Sequence, residues 1–158
     1  MQDKTKILFV CLGNICRSPS AEGIMRHLVA EAGLQNKFVI DSAGLLSYHA
    51  GELPDNRMRH HAKLRGYDLV SHSRPVTMDD FFDFDMIIGM DDSNIDGLKD
   101  RSPDIESQDK ICRMTDFLQR HSHSYIPDPY YGGDSGFELV LDLLEDACEG
   151  LLMKLNNK

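Results

Sequence analysis

The stretch ILFVCLGNICRSPS, residues 7–20, decides the fold, because an apolar run leads directly into a tight loop and then into a helix start. Lys6 to Val10, most of them apolar, predict the first strand, which we expect to be buried. Cys11 and Arg17 stand at the two ends of the loop that follows. Ser18-Pro19 then predicts a helix with serine as its N-cap and proline as its first residue. This succession is typical of α/β proteins.

Alternating strands and helices continue along the chain. Apolar segments at 38–41, 86–90 and 110–114 predict three further strands. Helices are predicted after the first loop, over 57–65, after Asp91 or Asp92, and from a capping box formed by Ser135 and Glu138. We therefore expect one α/β domain over residues 1–158, a three-layer sandwich around a mainly parallel four-stranded sheet.

Composition and charge exclude several functional classes. The chain has 158 residues, 41% hydrophobic and 27% charged, as expected for a soluble globular protein. A net charge of −9 argues against nucleic-acid binding, and the first apolar run is too short for a membrane span or a signal-peptide core. Four cysteines without close pairing favour a reducing, cytoplasmic setting. The aspartates between Asp79 and Asp104 indicate either a solvated face with helix N-caps or an electrostatic filter for partners.

The loop after the first strand has the composition of a phosphate cradle. Gly13 and Asn14 are the residue types that most easily adopt left-handed backbone angles, so the loop can aim several N–H groups into one concavity. The positive end of the following helix faces the same place, and the Arg17 guanidinium matches two phosphate oxygens. We expect a phosphate group to be held by the loop residues Leu12, Gly13, Asn14, Ile15 and Cys16 together with Arg17 and Ser18.

Cys11 is the candidate nucleophile in this cradle. Keeping a thiol mostly ionised at pH 7 requires roughly 3–4 kcal/mol, and a helix end supplies only about 0.3–2 kcal/mol. The loop amides, the Ser18 hydroxyl and Arg17 must therefore contribute the remainder. The alternative is an inert buried cysteine beside a surface arginine.

The segment HSHSYIPDPYYGGDSG offers a proton donor for the leaving group. Asp128 lies between Pro127 and Pro129, which stiffen the loop, and precedes Tyr130 and Tyr131, which could form an aromatic slot. A positioned general acid contributes about 10²–10⁴ in rate. Taken alone, this segment is equally compatible with a rigid surface turn.

The sequence resembles the low-molecular-weight protein tyrosine phosphatases over nearly its whole length. The resemblance rests on VCLGNICRSPSAE, on DSAG at residues 41–44, on MDDSN at residues 90–94 and on DPYYGGDSGFE near the end. It implies a flavodoxin-like fold, a phosphocysteine intermediate on Cys11, phosphate binding by Arg17, and Asp128 as general acid and base. It also implies that tyrosine-phosphorylated proteins or peptides are the partners, in a monomer or weak dimer, without metal or cofactor.

The same resemblance assigns supporting roles. Asn14 and Ser42 match positions that brace the loop, and Tyr48 matches an aromatic residue that lines the substrate slot. The family often has a histidine, two residues and an arginine where this chain has His72-Ser73-Arg74, so His72 is either structural or a brace. Cys16 is either a small buried hydrophobic residue or the partner of Cys11 in a reversible disulfide.

Three other functions are compatible with parts of this sequence. Arsenate reductases of this fold use a further cysteine pair in mid-chain, but no cysteine lies between Asp68 and Asp109. Phosphoarginine phosphatases of the fold tend to have threonine at the position of Ile15 and lack the tyrosine pair. A non-catalytic phosphopeptide-binding module would need no proton donor. The histidines at 60, 61, 121 and 123 are not completed into a recognisable metal site.

Overall fold

The computed structural model describes residues 3–130 and 132–156. Its centre is a sheet of four parallel strands in the order β2-β1-β3-β4, formed by β1 (Thr5–Cys11), β2 (Phe38–Gly44), β3 (Met86–Gly89) and β4 (Ile111–Arg113). The helices are α1 (Arg17–Glu31), α2 (Asn56–Leu64), α3 (Met78–Asp83), α4 (Asp92–Arg101), α5 (Ile105–Gln108) and α6 (Asp134–Asn156). Short 3₁₀ turns cover Gln35–Lys37 and Met114–Phe117. The predicted α/β fold with a parallel four-stranded sheet is confirmed.

Both faces of the sheet are covered, which explains the unbroken apolar run of β1. Ile7 and Phe9 pack in the core shared with α1 and α6, whereas Leu8 and Val10 pack on the opposite face in the core formed with α3 and α4. All four side chains are fully buried. Burying each such side chain stabilises the fold by about 1.5–3 kcal/mol. The molecule is therefore a three-layer sandwich, as predicted.

The start of α1 differs from the prediction. The helix begins at Arg17, Cys16 occupies the N-cap position, and no side chain caps the helix. The predicted cap, Ser18, lies inside the first turn, where its hydroxyl faces the sulfur of Cys11 and the amide of Asn14. The serine hydroxyl is thus taken up by a tertiary contact instead of by the helix end.

The start of α6 was also predicted wrongly. The helix begins at Asp134, so Ser135 is a helical residue and not the N-cap. The carboxylate of Glu138 accepts hydrogen bonds from Arg65 and contacts the His61 ring on α2. That carboxylate consequently joins two helices instead of closing a capping box.

Three of the nine aspartates from Asp79 to Asp104 bind N–H groups at helix starts, which is the helix-cap part of the first interpretation. Asp91 accepts a hydrogen bond from the backbone N–H of Asn94 at the start of α4, and Asp104 accepts one from Ser107 at the start of α5. Asp80 forms the capping box of α3. Each contact satisfies an N–H group that the helix itself leaves open.

Topology places the functional site. The chain leaves β1 toward β2 on one side, and β3 lies on the other side of β1, so the strand order reverses at β1. Ligands of such sheets bind beyond the carboxyl end of the strands at this reversal. Cys11 is the last residue of β1 and therefore stands at that point. Within the described ranges, no helix has the length and apolar character needed to cross a membrane.

Candidate active site

The loop between β1 and α1 has one residue in the left-handed region. Asn14 has φ of 56°, as predicted, whereas Gly13 does not adopt a positive φ. A Cβ at position 13 would lie 3.2 Å from the Cδ2 of His49, a tight contact that a small movement of the His49 ring would relieve. The turn at Asn14 bends the loop so that it closes around the end of β1.

The Asn14 side chain holds this turn from three directions. Its Oδ1 accepts from the backbone N–H of Arg74 at 3.1 Å, which fixes the orientation of the amide. Its Nδ2 then donates to Ser42 Oγ at 3.0 Å and to Ser18 Oγ at 2.7 Å. Asn14 is 2% exposed, so these contacts are shielded from water. The bracing expected of Asn14 and Ser42 has this geometric basis.

The same hydrogen bonds set the direction of a proton on Ser18. Ser42 Oγ donates to the carboxylate of Glu22 at 2.6 Å, because an ionised carboxylate only accepts. Ser18 Oγ accepts from Asn14, so its own proton is available to Cys11 Sγ, 3.0 Å away. The carbonyl oxygen of Ala43, at 3.5 Å, is the more distant alternative.

Two donors therefore face the Cys11 sulfur. Besides the Ser18 hydroxyl, the backbone N–H of Ser18 points to Sγ at 3.5 Å, in the first turn of α1. Cys11 itself is 3% exposed. Both donors are placed to bind negative charge on this sulfur.

Arg17 closes the other end of the loop and is held from outside it. Its Nη1 donates to Asp91 Oδ2 at 2.7 Å and to the carbonyl oxygen of Ile126 at 3.0 Å. Burial opposes the charge of this guanidinium, but Cys11, Asp91 and Asp128 outweigh burial and raise the Arg17 pKa above its usual value. Arg17 stays charged, and its remaining N–H groups can bind an anion.

Asp128 lies across the cavity from the loop. Its Oδ2 is 3.8 Å from Nη2 of Arg17, and its Oδ1 accepts from the backbone N–H of Tyr130 at 3.0 Å. The side chain is 42% exposed, so it stands at the mouth of the site. The structure thus brings Asp128 to the same cavity as Cys11 and Arg17, although Asp128 is far from both in the sequence.

These residues surround one cavity of about 370 Å³. Its walls include Tyr48 and Tyr130 and also Leu46 and His49, which the sequence analysis did not single out. The Tyr48 ring is 84% exposed and stands edge-on to His49, and the guanidinium of Arg57 lies over the Tyr130 ring. The predicted wall residue Tyr131 lies outside the described residues. The floor is formed by the loop residues Cys11, Leu12, Gly13, Ile15, Cys16 and Arg17.

Cys16 lies in the same loop and is 4% exposed. Burial and the neighbouring Asp55 carboxylate raise the pKa of its thiol, which favours the protonated form at neutral pH. Cys11 and Cys16 are both free thiols in the structure. A reversible disulfide between them stays a prediction.

His72 does not have the bracing role that was considered for it. The residue is exposed, and no hydrogen bond from its side chain to the loop occurs among the residues that the structure describes. Its neighbours hold the loop instead, through Ser73 Oγ donating to the Gly13 carbonyl at 3.1 Å and the Arg74 N–H donating to Asn14. The shorter spacing from histidine to arginine noted in the sequence fits this change.

The sequence analysis missed Glu22, which ends the hydrogen-bond chain from the nucleophile. Glu22 is 5% exposed, and its second oxygen accepts from Nε of Arg26 at 3.0 Å. The available indication was an acid and an arginine four residues apart on a helix face next to apolar positions. For metals, no group of three or more His, Cys, Asp or Glu side chains that could hold an ion occurs within residues 3–130 and 132–156.

Comparisons with known proteins show the family to which this chain belongs. The family model described as low molecular weight phosphotyrosine protein phosphatase matches residues 6–158. A Synechocystis relative that carries the family's name is 46% identical over 153 residues, which are 97% of this chain and 98% of the relative. A crystal structure of a protein tyrosine phosphatase from Entamoeba histolytica has a TM-score of 0.95 at 49% identity and covers 98% of each chain. A crystal structure of a Drosophila arginine phosphatase has a TM-score of 0.88 at 36% identity, covering 96% of this chain and 98% of that one. From its sequence and its fold, this chain belongs to the low molecular weight phosphotyrosine protein phosphatase family.

Proposed function

We propose that this protein hydrolyses phosphotyrosine through a covalent phosphocysteine on Cys11. One observation carries the proposal: the Cys11 sulfur, the Arg17 guanidinium and the Asp128 carboxyl face a single cavity. Transfer of the phosphoryl group from a monoester requires three groups: a nucleophile, an anion-binding group and a proton donor. The names of the relatives support the same activity.

In the first step, the Cys11 thiolate attacks phosphorus and the bond from phosphorus to the tyrosine oxygen breaks. Arg17 and the loop N–H groups neutralise the equatorial oxygens as their charge develops. Asp128, at the mouth of the cavity, gives its proton to the departing phenolate. The products of this step are a free tyrosine side chain and an enzyme with a sulfur–phosphorus bond.

In the second step, water attacks the phosphocysteine. The ionised Asp128 accepts a proton from that water, the sulfur–phosphorus bond breaks, and inorganic phosphate leaves. The Ser18 hydroxyl donates to the sulfur as its charge returns, which stabilises the leaving thiolate. The proton that Asp128 gives to the phenolate is replaced by the proton that it takes from water. The sulfur keeps the electron pair of the broken sulfur–phosphorus bond, so Cys11 is again a thiolate and Asp128 is again protonated.

The walls of the cavity favour phosphotyrosine, an aromatic phosphate ester, over the shorter esters phosphoserine and phosphothreonine. Tyr48 and Tyr130 flank the mouth, and the apolar Ile15 lies at the floor near the loop. A phenyl ring reaches farther than a serine or threonine side chain, so its phosphate can bind the loop while the ring contacts the tyrosines. Because an arginine phosphatase shares this fold, phosphoarginine is the competing substrate.

The two remaining alternatives have less support. Cys112 is half-buried and Cys148 is fully buried, and neither lies in the middle of the chain beside the site, as an arsenate reductase of this fold would require. A binding module would have no use for a carboxyl placed 3.8 Å from the phosphate-binding arginine.

The test compares turnover of para-nitrophenyl phosphate and of peptides that carry phosphotyrosine, phosphoserine or phosphoarginine. We expect phosphotyrosine to be preferred, Cys11→Ser to abolish turnover, and Asp128→Ala to slow it by about 10²–10⁴. Rapid quenching with labelled substrate should trap phosphate on Cys11. Preference for phosphoarginine, or full activity without Cys11, would refute the proposal.

Partners and location follow as further proposals. We expect tyrosine-phosphorylated proteins or peptides as substrates and inorganic phosphate as a weak competitive inhibitor. All four cysteines are unpaired, which suits the reducing cytoplasm that the sequence analysis expected. Sedimentation at micromolar concentrations should show a monomer or a weak dimer.

A further inference from the structure

A second cavity adjoins the proposed active site. It has a volume of about 570 Å³ and shares the side chains of Ile15, His49 and Tyr130 with the first cavity. The segment before α2 and the first turn of α2 form its other walls. The second cavity therefore opens beside any group bound to the phosphate loop, the segment from Cys11 to Arg17.

Arg59 is the distinctive group in the second cavity. Its side chain has one polar contact, from Nη1 to Oδ1 of Asn56 at 3.5 Å, and it forms no ion pair within the described ranges. Its neighbour Arg57, by contrast, is paired with Asp55 at 3.1 Å. Arg59 therefore presents a cation whose charge no carboxylate offsets.

The acidic groups that line the cavity are already engaged. Glu52 contacts the Nδ1 of His49 at 3.1 Å. Asp55 accepts from the Arg57 side chain and from the backbone N–H groups of Arg57 and Met58. The exposed side chain of His72 also lines the cavity. The group left to attract a ligand is the Arg59 guanidinium.

The spacing between the phosphate loop and Arg59 suits a peptide. The backbone N–H of Asp55 donates to the Ile15 carbonyl at 2.8 Å, so the start of α2 is tied directly to the loop. The N–H of Arg59 donates to the Asp55 carbonyl at 2.9 Å, which places Arg59 one helical turn, about 6 Å, farther along. An extended peptide advances about 3.3–3.6 Å per residue and covers this span in two or three residues.

We propose that the second cavity is a substrate subsite, in which Arg59 binds an anionic side chain near the phosphotyrosine of the substrate. The ligand chemistry is an oxyanion, either a carboxylate or a second phosphoryl group, within about three residues of the phosphotyrosine. Ile15 and Tyr130 provide apolar contact for the chain between the two anions. This inference rests on the proposed function and adds a sequence preference to it.

The net charge of the protein gives this subsite a selective role. At −9, most of the molecule repels acidic peptides, so a local uncompensated cation beside the active site determines which of them bind productively. Neutral peptides have no contact to lose when Arg59 is removed. The preference should therefore appear in the ratio of kcat/KM for an acidic peptide to kcat/KM for a neutral peptide.

The experiment measures kcat/KM for three phosphotyrosine peptides, whose flanking residues are alanine, glutamate or phosphoserine. For Arg59→Gln we expect the glutamate-to-alanine ratio to fall about two- to fivefold, the effect of one ion pair that stays partly exposed to water. Arg59→Lys should retain part of the ratio. Lys63→Gln, one turn farther along α2, is the matched control, since it removes the same charge from outside the cavity and should leave the ratio unchanged.

The peptide arms separate the two sources of the anion. A larger loss with the phosphoserine peptide assigns the subsite to a second phosphoryl group, and a larger loss with glutamate assigns it to a carboxylate. Equal ratios in wild type and Arg59→Gln, or an equal fall in Lys63→Gln, would overturn the subsite. Failure of wild type to hydrolyse even the alanine-flanked peptide would instead refute the proposed function.

Discussion

Glu22→Gln is the substitution that best tests how the nucleophile is held. The chain of hydrogen bonds from Glu22 through Ser42, Asn14 and Ser18 reaches the Cys11 sulfur without touching substrate. Glutamine keeps the volume of the buried side chain but replaces a charged acceptor by a neutral one. Glu22 is thus expected to act as a positioning residue, which orients the proton of Ser18 toward sulfur.

The magnitude follows from the bond that weakens. Hydrogen bonds to charged groups contribute about 1.5–3 kcal/mol and neutral ones about 0.5–1.5 kcal/mol, so the substitution costs about 1 kcal/mol at the Ser42 contact. If that cost is transmitted to the reacting sulfur, kcat/KM for para-nitrophenyl phosphate falls about fivefold. Ser42→Ala removes the link altogether and leaves one Glu22 oxygen and one Asn14 N–H unpaired, so a larger fall is expected.

Two measurements separate positioning from simple loss of stability. The rate of iodoacetamide alkylation of Cys11 at pH 6 should fall together with kcat/KM, because alkylation consumes the thiolate. Glu31→Gln, an exposed carboxylate on the same helix that contacts His27, is the matched control and should change neither rate. Unchanged alkylation and turnover in Glu22→Gln, with the protein folded, would show that the chain does not act on the nucleophile.

Three further predictions concern stability and the second cysteine. Burial opposes the charge of Asp146, but hydrogen bonds from His121 and three backbone N–H groups lower its pKa from 3.8 to about 2. The ionised carboxylate therefore contributes about 2 kcal/mol to the free energy of unfolding above pH 4, and this contribution is lost as the pH falls toward 2. Urea unfolding should therefore show Asp146→Asn to be less stable at pH 7, with the difference narrowing at pH 3, and a constant difference would contradict this. Gly150→Ala would drive its Cβ into the Phe117 carbonyl and should lower stability by about 1–3 kcal/mol, whereas an unchanged Tm would count against that contact. Because burial raises the pKa of Cys16, iodoacetamide should modify it at least tenfold more slowly than Cys11 at pH 7, and mass spectrometry can compare the two sites.

The features that could be predicted from sequence are those encoded by neighbouring residues. The strand before Cys11, the left-handed turn at Asn14 and the helix predicted over 57–65 each depend on the preferences of a few adjacent residues. The order of strands and helices then places Cys11 at the carboxyl edge of the sheet, because parallel sheets collect their loops there. Short elements such as α3 and α5 were missed because six and four residues are too few to show helical periodicity.

The errors arose where one polar side chain had two possible partners. Ser18 and Ser135 stand before apolar helical patterns and were assigned as caps, yet the Ser18 hydroxyl is used by Asn14 and Cys11. Glu22 resembles a solvated acid of a surface helix until β2 brings Ser42 beside it. A local pattern shows that a side chain can form a hydrogen bond, but the partner depends on the packed fold.

Asp91 shows how a single side chain can serve a local and a distant partner together. Its Oδ1 accepts from the Asn94 N–H and caps α4, a role that the sequence left open between Asp91 and Asp92. Its Oδ2 accepts from Arg17, 74 positions earlier in the chain, and so directs the guanidinium toward the phosphate loop. The second role exists because β1 and β3 are adjacent and end at the same edge of the sheet. The arginine is therefore oriented by the sheet order, which is why its geometry could be inferred only after the fold was known.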